Sequence, residues 1–130
     1  MIVVDASALL EVLLRTSAAA RIERRILDSR ESLHAPHLLD LEVAQVLRRY
    51  VARHEMSAEC GQASLDLFAK FPIRRYAHEP LVPRIWTLRR NLTAYDAAYV
   101  ALAEGLRATL VTRDERLSRA TGHKAAIELM

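Results

Sequence analysis

The sequence predicts an α/β fold built on a central, mainly parallel sheet. Short apolar runs rich in β-branched residues recur along the chain, at IVV near the start, at IRRY and at TLVT. Segments with helical spacing of apolar residues separate them. Only three Gly and four Pro among 130 residues leave little room for long irregular loops. Short strands that alternate with helices form parallel sheets covered on both faces.

The elements follow in order. Residues 2–5, IVVD, form a buried strand that ends on a carboxylate. Helical patterning follows around residues 7–14 and 18–29. Leu33 to Pro36 is a second short strand, and Pro36 also suits the start of a helix. Leu39, Val43, Val46, Leu47 and Tyr50 then recur at helical spacing. Ser57 is an N-cap for a helix carrying Cys60, Leu65, Phe68 and Ala69, which Pro72 ends. Ile73 to Tyr76 is a third strand. Helical patterning returns around residues 80–90 and from Ala94 to Glu104, where Gly105 is a natural stop. Thr109 to Thr112 is a fourth strand, Asp114 to Arg119 a short helix, and Ala125 to Leu129 a last strand.

Length and composition set bounds on what the chain can be. A chain of 130 residues fits one domain over 1–130 and buries a core without disulfides or structural metal. The single Cys60 cannot form an internal disulfide; it suits a reducing cytoplasm and reads as a small apolar filler. The apolar start is interrupted by Asp5 and Glu11 and lacks a basic leader and cleavage site, so no targeting segment is expected. No apolar run approaches membrane-spanning length, so no membrane partner is expected. The net charge is +3, and Arg24-Arg25, Arg48-Arg49, Arg74-Arg75 and Arg89-Arg90 supply guanidinium pairs. Such pairs are either solvated helix faces or part of a phosphate-binding surface.

Four carboxylates fall where metal-assisted chemistry would place them. Asp5 ends the first strand, Glu42 lies early in the helix after the second, Asp96 lies in the first turn of its helix, and Asp114 follows the TLVT strand by two residues. In open α/β sheets, ligands bind outside the carboxyl ends of the strands. Glu42 stands three residues after Leu39 and four before Val46, and Asp96 three before Tyr99 and four before Val100. Both therefore border a buried stripe, where an unpaired charge is costly. A hard cation liganded by carboxylate oxygens removes that cost, and magnesium is the usual ion of phosphate chemistry. Arg113 is the nearest cation in sequence to Asp114.

Each acid also has a structural reading. Asp5 can cap the helix beginning near Ser7, and Asp114 can cap the helix from Glu115. Thr93 and Asp96 match a capping box with Asp in place of Glu. Trp86, patterned with Ile85 and Leu88, reads as core or interface, and Tyr95 and Tyr99 as a packing pair. The five His residues are scattered and read as surface or core positions.

At these residues the sequence resembles the PIN-domain proteins, and among them the VapC toxins. IVVDASALLEVL, APHLLDLEVAQVLRR, LTAYDAAYVALAE and LVTRDERL look like the four blocks of that family, in its order, across nearly the whole chain. The resemblance implies a three-layer α/β/α fold. It also implies a metal-dependent ribonuclease whose ligands are Asp5, Glu42, Asp96 and Asp114, with Mg2+ as cofactor and Mn2+ as substitute. Ser7 and Thr112 match hydroxyl residues that support the acids. Further implications are an RNA substrate, a VapB-like antitoxin, a homodimer and a cytoplasmic location.

Other classes fit less well. A catalytically silent PIN-like domain binding RNA or protein is the alternative, and retention of all four acids argues against it. A phosphoacceptor receiver needs a paired acidic motif near the first strand and a lysine after a late one; here one acid and a poorly placed Lys124 stand instead. A DxD phosphatase lacks its second Asp in Asp5-Ala6-Ser7. Aromatics at 5% leave few platforms for a glycosidase.

Overall fold

The computed structural model describes residues 1–130. Five parallel strands form one sheet in the order β3-β2-β1-β4-β5: β1 (Ile2–Val4), β2 (Leu33–Pro36), β3 (Ile73–Tyr76), β4 (Thr109–Thr112) and β5 (Ile127–Leu129). Seven helices cover it: α1 (Ala6–Leu13), α2 (Ala19–Ile26), α3 (Leu38–Ala52), α4 (Ala58–Ala69), α5 (Val82–Thr87), α6 (Ala94–Leu106) and α7 (Glu115–Ser118). A 3-10 turn, Glu79–Leu81, leads into α5.

The layering follows from alternation along the strands. In β1, Ile2 and Val4 point into one core with Leu9, Ile22, Leu39, Val43 and Phe68 of α1 to α4. Val3 points the other way, into a second core with Leu88, Val100, Leu102 and Leu117. Ile2, Val3 and Val4 are all fully buried, as a central strand covered on both faces must be. Each such side chain contributes about 1.5–3 kcal/mol by leaving water. The expected α/β/α sandwich is therefore present.

Register fixes the edge where the site lies. Val4 stands opposite Val111 on β4, so the next residues, Asp5 and Thr112, emerge side by side at the carboxyl end of the sheet. The Asp5 amide donates to the Val111 carbonyl at 3.2 Å, holding the chain to that exit.

Several local expectations need correction. α6 does not stop at Gly105 but runs to Leu106, and Arg107 takes the left-handed conformation at φ 54°. Gly105 therefore lies inside the helix, two residues before the cap position taken by Arg107. α2 ends at Ile26, short of residue 29. Cys60 is exposed on the first turn of α4 rather than filling the core. Trp86 is 66% exposed, so the core half of its core-or-interface reading is wrong: Leu88, just past the end of α5, is the buried residue, and the Arg89 guanidinium covers the indole at 4.7 Å.

Candidate metal centre

Asp5 is the most buried of the four acids, at 5% exposure. Its backbone is extended, and its side chain caps α1 by accepting from the Ala8 amide at 3.0 Å. The Ser7 hydroxyl donates to the same oxygen at 2.7 Å, and the Thr112 hydroxyl donates to the other at 2.6 Å. The capping reading of Asp5 is thus correct. It does not exhaust the residue, because the cap uses one oxygen and the second faces β4.

Ser7 and Thr112 do more than touch Asp5. Thr112 Oγ1 accepts from the Asp114 amide at 3.0 Å, and Ser7 Oγ accepts from the Arg113 amide at 2.9 Å. The two hydroxyls therefore tie the turn after β4 to the carboxylate after β1. Asp114 caps α7, accepting from the amides of Arg116 at 2.8 Å and Leu117 at 3.1 Å through one oxygen. Its other oxygen faces Arg116 at 3.8 Å.

Glu42 comes from the first turns of α3 and accepts from the Tyr99 hydroxyl of α6 at 2.5 Å. That bond spans the sheet edge and ties together helices that belong to different cores. Asp96 lies in the first turn of α6, where Thr93, not Asp96, supplies the cap: the Thr93 hydroxyl accepts from the Asp96 amide at 3.1 Å. The reciprocal half of the expected capping box is not formed. The Asp96 carboxylate faces Arg116 at 3.5 Å.

Electrostatics joins the acids into one cluster. Burial pushes the Asp5 carboxyl above its ordinary range against the pull of its three hydrogen bonds, and the Asp114 charge adds to the rise. Burial raises Glu42 as well; the Tyr99 bond opposes this, and the charges of Asp5 and Asp96 reinforce it. Burial raises Asp96, Arg116 opposes, and Asp114 reinforces. Burial, then the Glu42 charge, drives the Tyr99 hydroxyl far upward, so it is a fixed donor. Asp5, Glu42 and Asp96 therefore each feel another acid of the set, and Arg116 is the one cation that forms an ion pair with any of the four.

A hard divalent cation fits this donor set by charge and by chemistry. No three His, Cys, Asp or Glu side chains stand close enough to ligate one ion together. Magnesium does not require that, because it keeps several waters and takes one or two carboxylates directly.

Sequence reasoning placed the acids on separate elements but missed two residues that act on them. Tyr99 was legible only as half of a packing pair; Tyr95 is 64% exposed, while Tyr99 is buried against Glu42. The useful signal was its i+3 spacing from Asp96, which puts both on one helix face. Arg116, not Arg113, serves Asp114. Arg113 turns away to pair with Glu11 at 3.5 Å and to bond the Met130 carbonyl.

Comparison with known proteins accords with this geometry. A PIN-domain family model matches residues 2–122. The VapC ribonuclease Mb0985 of Mycobacterium bovis is 48% identical over 118 residues, covering 91% of this chain and 89% of the relative. Ribonuclease VapC12 of Mycobacterium tuberculosis is 43% identical over 130 residues, covering 100% and 99%. Among solved structures, VapBC2 of Rickettsia felis, bound to a DNA fragment from its promoter, superposes with a TM-score of 0.68 at 14% identity, covering 99% of this chain and 98% of that one. The sheet order, the sandwich and these matches together place the chain in the PIN-domain family.

Proposed function

We propose that the chain, as one nuclease domain over residues 1–130, is a magnesium-dependent endoribonuclease and the toxin of a toxin–antitoxin pair. One observation carries the reading. Asp5, Glu42, Asp96 and Asp114 gather at the carboxyl edge of a parallel sheet, where Thr112 links Asp5 to the Asp114 turn and Arg116 faces both Asp96 and Asp114, and burial raises the carboxyls of Asp5, Glu42 and Asp96. Such a cluster is poised for a cation.

Asp5 and Asp96 are the direct ligands in this reading, with Glu42 and Asp114 acting through water or at a second ion. Mn2+ substitutes for Mg2+ because both take hard oxygen donors. When bound, the ion lowers the pKa of an attacking water and offsets charge on the phosphodiester. The chain's own residues do the rest. Ser7 and Thr112 fix both oxygens of Asp5, Tyr99 holds Glu42 toward the cluster, and Asp114 is anchored by the α7 amides.

The partners follow from the relatives. VapBC2 is solved as a complex, which supports a VapB-like antitoxin for this chain. Exposed Val82 and Trp86 on α5 and Tyr95 on the adjacent α6 supply apolar surface for a homodimer. No helix is long and apolar enough to cross a membrane, and a cytoplasmic RNA-cleaving role accords with that.

The test is cleavage of a structured RNA by the purified protein with magnesium and with EDTA, beside Asp5→Asn. Asn caps a helix about as well as Asp, so the variant folds. Cleavage that needs the metal and is lost in the variant is the expected result. Equal cleavage with EDTA, or none by the wild type freed of its antitoxin, defeats the proposal; in the second case the chain is a binding module.

A further inference from the structure

A groove of about 800 Å³ opens beside Asp96, between the start of α6 and α7. Arg90, Asn91, Asp96, Glu115, Arg116 and Arg119 are among the residues that line it. Its far wall is rigid. The Asn91 amide donates to the carbonyl and the hydroxyl of Thr121 at 2.8 and 2.9 Å, and Gly122 at φ +87° packs so close that a Cβ there would meet that amide at 2.9 Å.

The cations in this groove are weakly committed. Arg90 forms no ion pair. Arg119 meets only Glu115 at 3.2 Å, with both side chains largely exposed. Arg116 is 78% exposed and reaches Asp96 and Asp114 at 3.5 and 3.8 Å, beyond good hydrogen-bond length. By contrast Arg84 grips Glu104 through two bonds at 2.7 and 2.9 Å, and Arg25 holds both oxygens of Glu128 at 3.1 and 2.9 Å. An exposed ion pair contributes little, so Arg116 leaves its acids at small cost.

We propose that this groove holds RNA phosphates next to the one cleaved, and that Arg116 moves from Asp96 and Asp114 to a substrate phosphate when a divalent cation occupies the acids. The proposal rests on the metal-nuclease reading above. Its chemistry is charge exchange. A dication beside Asp96 and Asp114 repels the guanidinium that had screened them, and a guanidinium fork suits phosphate as well as carboxylate. Arg90 and Arg119 extend the same track away from the acids. Without cation Arg116 screens the cluster; with cation it becomes a substrate contact.

Two measurements on wild type, Arg90→Gln and Arg116→Gln test this. The first is anisotropy of a fluorescein-labelled RNA stem-loop, with calcium in place of magnesium, RNA integrity checked on a gel, over a series of salt concentrations. The second is calorimetric titration with Mn2+ in the absence of RNA. Each variant is expected to weaken RNA binding about tenfold, the loss of one charge-assisted hydrogen bond. Each should also reduce the slope of log K against log salt by about 1. Arg116→Gln alone should tighten Mn2+ binding, by about two- to fivefold, because the competing cation is gone. Arg90→Gln should leave Mn2+ binding as in the wild type.

RNA affinity and salt slope unchanged in both variants would overturn the groove. Unchanged Mn2+ affinity in Arg116→Gln would overturn the exchange. A wild type that binds Mn2+ and cleaves RNA in either case keeps the nuclease reading intact. A wild type that binds no Mn2+ overturns both.

Discussion

Replacing Asp96 by Asn separates a structural acid from a metal ligand more cleanly than any other change in the cluster. The N-cap of α6 belongs to Thr93, so the substitution leaves the cap in place. What it removes is one partly buried charge and one contact to Arg116, whose side chain is 78% exposed. Losing that contact costs less than about 1 kcal/mol. Against it stands the relief of a carboxylate that burial and Asp114 hold above its ordinary value of 3.8. That relief is about 1.4 kcal/mol for every pH unit by which folding raises the carboxyl. The sign with pH is fixed. Below 3.8 both folded and unfolded chains keep the proton, and Asp96 costs nothing. As pH rises through the raised folded value, the wild type loses stability that the Asn variant keeps. Without divalent ion, Asp96→Asn should therefore match the wild type near pH 4 and exceed it at neutral pH, by about 2–5 °C in Tm. Mn2+ affinity should fall at least 10- to 100-fold, the range seen when even a residue that merely supports a ligand is removed. Scanning calorimetry with EDTA across that pH range, paired with Mn2+ titration, reads both. A variant that is less stable at neutral pH, yet binds Mn2+ like the wild type, would refute the reasoning and make Asp96 a structural residue.

Three further outcomes are expected. Tyr99→Phe removes the donor to half-buried Glu42 and should cost about 1–3 kcal/mol in chemical denaturation without metal; a neutral result would mean that water replaces the hydroxyl. Millimolar Mg2+ or Mn2+ should raise the melting temperature of the wild type in scanning fluorimetry, since binding to the folded state alone stabilises it, and Asp5→Asn should abolish the rise. Arg107→Gly should add about 1 kcal/mol, because the left-handed conformation at φ 54° penalises a Cβ that glycine lacks; a loss in urea denaturation would mean that the arginine side chain outweighs the backbone strain.

Much of the architecture was legible because the sheet is buried on both faces. IVV is apolar at every position and TLVT carries Leu110 and Val111 at its centre, and consecutive apolar residues suit a strand covered on both faces. The alternation of elements then implied the layers. Strand order was not legible: nothing local in TLVT says that it lies beside IVV rather than beside IRRY. The positions of Asp5 and Asp114 followed from the ends of those two strands. The contacts of Glu42 and Asp96 did not, because Tyr99 and Arg116 reach them across 57 and 20 residues of chain. The core reading of Trp86 failed because apolar spacing identifies a helix face without saying whether the chain's own core covers it. Cys60 misled for the same reason, at the open end of α4.

The bond from Thr112 to Asp5 joins residues 107 positions apart, and β1 receives β4 as a neighbour only after most of the chain has passed. Contacts this distant in sequence slow folding, because a long loop must close before they form. A chain still being synthesised has β1, β2 and β3 long before β4 exists, so its Asp5 lacks the hydroxyl that orients it and the acid that answers it. The surroundings of Asp5 are complete only once β4 has paired with β1. Truncation before Thr109 leaves a fragment with three of the acids, Asp5, Glu42 and Asp96, but without Thr112 and Asp114. An unfinished chain therefore carries Asp5 without the hydroxyl of Thr112 and the turn of Asp114 that complete its surroundings.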